Sequence, residues 1–147
     1  MAQGYSAETV GVLDGTVIPA KKADGRVYQS RMRRIRATLD LSQATVARAS
    51  GDTNVLGKIP GGCAFAFGII NASATMGSST IAVGIAGTAG KYMAAATFTG
   101  AAPALFGLAS AVDDAPLEAD ETVIMTVGAA TLPSSGILTI DLYFSGR

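Results

Sequence analysis

The groups able to carry chemistry in this chain are few and mostly of one kind. It holds eleven carboxylates, a single thiol at Cys63 and no histidine. Without imidazole, a Ser-His-Asp or Cys-His nucleophile and any histidine-based metal site are excluded. Carboxylates cluster once, in Asp113-Asp114-Ala115-Pro116-Leu117-Glu118-Ala119-Asp120-Glu121. The run lacks the alternating ligands, central glycine and closing glutamate of an EF-hand, and nothing in it predicts the burial that shifts a carboxyl pKa. It reads as a solvated loop. The segment from Gly84 to Tyr92, GIAGTAGKY, approaches a phosphate-binding loop, but Gly84 lies one residue too far from Gly90-Lys91 and Tyr92 stands where Ser or Thr would hold magnesium. Cys63, close to Phe65, reads as a small buried hydrophobe. Asn71-Ala72-Ser73 matches a glycosylation sequon but sits inside an apolar strand pattern. The expectation is a protein that is not an enzyme and uses no cofactor or metal.

The second patterned chemistry is basic. Net charge is zero, yet residues 1–60 hold nine bases against five acids (+4) and the remainder two against six (−4). Between Lys21 and Arg36 stand seven bases, Lys21, Lys22, Arg26, Arg31, Arg33, Arg34 and Arg36, against Asp24 alone. These seven are the candidate partner contacts. Nucleic acid is not expected, because interleaved aromatics and an overall basic excess are missing. An acidic protein surface, or the acidic region of a neighbouring copy, fits such a segment; a solvated face is the plain alternative.

These groups must be positioned by β-structure. The stretch Ala64–Ala86 reads as two adjacent strands joined at Met76-Gly77-Ser78-Ser79, with Phe65, Phe67 and Ile69 on one face of the first and Ile81, Val83 and Ile85 on one face of the second. Residues 34–42 alternate, placing Ile35, Ala37, Leu39 and Leu41 inward and Arg34 and Arg36 outward. Further strands are predicted over 54–59, 91–99, 122–128 and 137–144, with a short strand or loop at 103–109. In the last, Leu138, Ile140, Leu142 and Phe144 face the core and Thr139, Asp141 and Tyr143 face away. Short strands punctuated by Gly and Pro, with no convincing amphipathic helix, predict an all-β chain folded as a β-sandwich, a jelly roll being one such topology. Residues 1–33 read as an extended N-terminal arm with a short hairpin at Asp14-Gly15, and 34–147 as the sandwich domain. With 49% hydrophobic and 15% charged residues, the exterior must show small apolar and hydroxyl groups, which suits contact with other subunits. No signal peptide and no membrane-spanning run is read, so synthesis in a cytoplasm is expected.

The text DTNVLGKIPGGCAFAFGIINASATMGSSTIAVGIAGTAGKYMAAATFT, followed by LEADETVIMTVGAATLPSSGILTIDLYF, resembles small head proteins of tailed bacteriophages. Such proteins are encoded beside the major capsid protein and serve as capsid decoration or cement proteins. The likeness spans about residues 34–144, and its phrases are a KIP-Gly turn, the apolar strand pair, Gly90-Lys91-Tyr92-x-Ala94-Ala95-Ala96 and a late Asp120-Glu121-Thr122-Val123-Ile124 strand. It implies a β-rich structural module, made in the host cytoplasm, bound to the major capsid protein on the outside of an icosahedral shell, and self-associated as a homotrimer. The alternative is a head-fibre or tail-tip module that binds a receptor or carbohydrate. Against it, the chain has no Trp and only four Tyr for sugar stacking. A shell-forming subunit is less well matched, for want of the long helix and extended loop expected of one.

Overall fold

The computed structural model describes residues 6, 9–12, 15–22, 24–25, 30–100, 102–112 and 116–146. Among them lie eight strands and no helix: β1 (Arg31–Asp40), β2 (Thr53–Ile59), β3 (Ala64–Ala72), β4 (Thr80–Ile85), β5 (Thr88–Thr97), β6 (Ala104–Phe106), β7 (Glu121–Gly128) and β8 (Ile137–Gly146). They form two four-stranded antiparallel sheets, β1-β8-β3-β6 and β2-β7-β4-β5. First pairs with last, second with seventh, third with sixth and fourth with fifth. That nesting is a long hairpin wrapped into two sheets, a jelly roll. The expected sandwich is therefore present with a definite topology.

Alternation decides which face of each strand is inside. On β7, Val123, Met125 and Val127 are buried beside Leu56, Ile59, Ile81 and Val83 of the same sheet, and on β8 Leu138, Ile140, Leu142 and Phe144 face them across the sandwich. Side chains of this size each stabilise by about 1.5–3 kcal/mol when fully buried. Ile35, Leu39 and Ile85 are only partly buried against this core. Ile35 packs tightly on β2: a Cβ at Gly57 would stand 2.6 Å from Ile35 Cγ2, so a larger residue there would force Ile35 to shift. The β1–β2 loop is fixed by buried Asn54, whose amide donates to the Ala47 carbonyl at 2.7 Å and whose oxygen accepts the Ala47 N–H at 3.0 Å. That satisfies a polar side chain that would otherwise be costly to bury.

Two expectations need correction, and a third holds with an addition. β3 and β4 follow one another in the chain but do not pair; they lie in different sheets, and the segment between them crosses the sandwich with Met76 and Ser79 buried. Both strands read as buried because each sits inside its own sheet, which sequence pattern alone cannot distinguish from mutual pairing.

Second, Phe65, Phe67 and Ile69 do not share a face. The register opposes Phe65 to Phe144 and Phe67 to Tyr143, leaving Ala66 as a β-bulge. An extra residue inverts the inside–outside pattern after it. Phe65, Gly68, Ile70 and Ala72 are buried, while Phe67 and Ile69 are half-buried on the outer side. Gly68 then lies under Phe106, where an added Cβ would come within 2.1 Å of Cζ.

Third, Asp141, expected to face away from the core, is on the outer face of β8 but is itself buried. It lies on an interior strand of its sheet, between β1 and β3, and beneath a cross-strand arginine. Ahead of β1, the hairpin expected at Asp14-Gly15 falls partly on residues 13 and 14, outside the described residues. The described residues around it form turns, and the Lys21 N–H donates to the Gly11 carbonyl at 2.8 Å.

Candidate functional site

The chemistry-bearing residues sort by strand parity. On β1, Met32, Arg34, Arg36 and Thr38 point outward, whereas Arg31 and Arg33 share the side of Ile35 and yet remain exposed. β1 is an edge strand, and a row of arginines there discourages pairing with a foreign strand. Lys21 and Lys22 are exposed in the preceding segment, and Arg26 lies outside the described residues. The basic run is thus divided among the pre-strand segment, the outer face of β1 and its inner side.

Across the outer face of β1-β8-β3-β6 the register builds three rows. The first is Arg34–Tyr143–Phe67, the second Arg36–Asp141–Ile69–Leu105, the third Thr38–Thr139–Asn71. In the first row the Phe67 and Tyr143 rings stack, centroids 4.6 Å apart and planes 19° apart. In the second, Arg36 grips Asp141 with a fork: Nε donates to Oδ1 at 2.8 Å and Nη2 to Oδ2 at 2.7 Å. Such two-pronged, charge-assisted pairs are stronger than single neutral hydrogen bonds. The hydrogen bonds from Arg36 hold the Asp141 carboxyl below its ordinary pKa despite burial, and the charges of Arg36 and Arg34 add to the effect. A depression of about 340 Å³ lies over this row, lined by Arg36, Ile69, Asn71, Pro103, Thr139, Asp141 and Tyr143. Met32 and Leu105 lie on the same face, 54% and 72% exposed.

The remaining singled-out residues have structural partners. GIAGTAGKY is the end of β4, a two-residue turn and the start of β5, which is a hairpin and not the strand–loop–helix that cradles phosphate. Within it, Lys91 pairs with Glu121 and Tyr92 donates its hydroxyl to the same carboxylate. Tyr92 is fully buried, its ring 4.5 Å from that of Phe65; burial first, and then the bond to Glu121, raises its pKa far above the usual phenol value. In the acidic run, Asp120 binds Lys58 at 2.8 Å and accepts the Gly61 N–H at 2.8 Å. Asp113 and Asp114 lie outside the described residues. Cys63 is buried, as expected. Sequence reasoning missed two functions of single residues: Tyr92 as a core anchor and Asp141 as the partner of Arg36. The only local signal for the first was an aromatic in an alanine-rich strand.

No protein-family model matches the chain, and no curated protein matches it. Its fold does match chains of solved capsids. For the capsid of Ralstonia phage GP4 the TM-score is 0.59 at 21% identity, covering 88% of this chain and 92% of that one. For the Cyanophage Pam1 capsid asymmetric unit it is 0.61 at 18%, covering 92% and 100%. For the acid-stable capsid of Helicobacter pylori bacteriophage KHP30 it is 0.56 at 10%, covering 79% and 88%. At these identities the likeness is one of fold.

Proposed function

We propose that this chain is a structural virion protein, a decoration or cement subunit that binds the outer surface of a tailed-phage capsid and stabilises it. The observation that carries this is the near end-to-end match of one jelly roll to whole chains of similar length in phage capsids. The matched capsid chains are themselves covered over 92% and 100% of their length, so this jelly roll corresponds to whole chains there, which suits an accessory subunit better than a domain of a large shell protein. The outer sheet face, with stacked aromatics and arginines, offers a surface for the major capsid protein. The exposed Lys21 and Lys22 extend the basic character ahead of β1, so the arm is assigned a share of the anchoring. Closed self-association as a trimer covers further small-residue surface, since a C3 contact is heterologous yet complete. The test is composition: gradient-purified virions should contain this chain in a fixed ratio to the major capsid protein, and its absence from intact virions contradicts the proposal.

A second reading, a receptor- or carbohydrate-binding module, is favoured by the polar depression beside Tyr143. Binding of the purified protein to host-surface glycans, lost with Tyr143→Ala, would support it over decoration.

A further inference from the structure

We infer that the outer face of the β1-β8-β3-β6 sheet is the docking face, and that its partner is a carboxylate-rich protein surface with an apolar centre; this rests on the decoration reading and assigns that surface to the shell. The outward side of a sandwich sheet is ordinarily polar, because only the inward side is covered. Here it carries Phe67, Ile69, Met32 and Leu105, two of them largely exposed. Aromatic residues, methionine and arginine are the types enriched at the centres of protein interfaces, and lysine and glutamate, both missing from these rows, are depleted there. The other sheet differs. The outward positions of β4, Ala82 and Gly84, are already buried, Gly84 against the Thr88 carbonyl.

Charge selects the occupant. On this face Arg34 is exposed and, among the described residues, in no ion pair, while Arg31 and Arg33, exposed on the other side of the same edge strand, add positive charge at its rim. The carboxylates on this face are engaged within the chain, Asp141 by Arg36 and Asp40 by Ser42 and Gln43. Among the described residues the exposed arginines of β1 are thus left without an ion-pair partner, and acidic groups opposite them would be steered in and held in register. A glycan is a poorer occupant, because one face of Tyr143 is taken by Phe67 and the Arg36 and Asp141 groups lining the depression are bound to each other.

The test titrates full-length protein onto particles lacking it and reads the bound fraction by sedimentation. Arg34→Glu and Leu105→Ser, both at exposed positions, and Phe67→Ser should each weaken binding by about tenfold or more, as loss of an interface anchor does. Val55→Ser, exposed on the opposite sheet, should bind as the parent does. Melting curves separate failure to fold from failure to dock. If the parent binds and the folded Arg34→Glu and Leu105→Ser variants bind equally well, the inference is wrong and decoration stands. It is equally overturned if these variants alter only self-association or glycan binding. If the parent binds no particle, the decoration reading fails and the inference with it.

Discussion

Phe67 and Tyr143 stand opposite one another on β3 and β8 and stack on the outside of the sandwich, their centroids 4.6 Å apart. Two residues earlier, Phe65 is buried against Tyr92. The bulge at Ala66 thus gives two nearby phenylalanines opposite duties, one in the core and one on the surface.

Their truncations should separate accordingly. Phe65→Ala should lower unfolding free energy by about 3–5 kcal/mol, the range for a core aromatic. Phe67→Ala should lose only about 0.5–1.5 kcal/mol for the ring pair, plus part of its half-buried area. Urea denaturation of both variants measures the difference, and equal losses would mean that the bulge is misplaced.

Gly68→Ala should destabilise by about 1–3 kcal/mol or more, because its methyl enters the Phe106 ring. Combined with Phe106→Leu it should recover part of that loss. A double-mutant cycle with no coupling would contradict the contact.

The Arg36–Asp141 fork sets an acid dependence. The Asp141 carboxyl titrates lower in the folded protein than in the unfolded chain, so its stabilisation is fully present above the ordinary aspartate value of about 3.9 and fades as pH falls through the depressed folded value. Asp141→Asn should remove that part of the slope in stability measured from pH 5 downward.

Tyr92 acts at the other end. Its raised pKa stabilises the fold below about pH 10, and the contribution is lost as pH rises beyond that, where the unfolded phenol ionises and the buried one does not. Melting temperature should fall more steeply above pH 10 in the parent than in Tyr92→Phe.

How much was legible follows from how each strand is covered. β1, β7 and β8 announce themselves because one side is apolar and the other polar, so alternation gives both strand and face. β3 is apolar on both sides, and nothing in AFAFGIINA marks the residue at which the pattern inverts. The arginine run was visible, but Asp141 lies 105 residues beyond Arg36, and only the first-to-last strand pairing brings them together. The jelly-roll order is likewise a matter of long-range pairing that no local pattern encodes.

Residues 1–30 precede β1, and among the described residues every buried side chain of the hydrophobic core lies at Ala37 or later. Deleting them should leave the melting temperature nearly unchanged while reducing occupancy on particles. Exposed ion pairs contribute only about 0–1 kcal/mol each and are screened by salt, so the intact protein should detach more readily as salt rises. Undiminished occupancy of the truncated protein would move the anchor wholly to the sheet face.

The most direct measurement is an electron cryomicroscopy comparison of particles assembled with and without this chain. The expected difference map shows sandwich-sized density repeated over the outer surface of the shell, grouped in threes, with the β1-β8-β3-β6 sheet toward the capsid. Identical shells in both samples, or density confined to a tail or fibre, would contradict a decoration subunit.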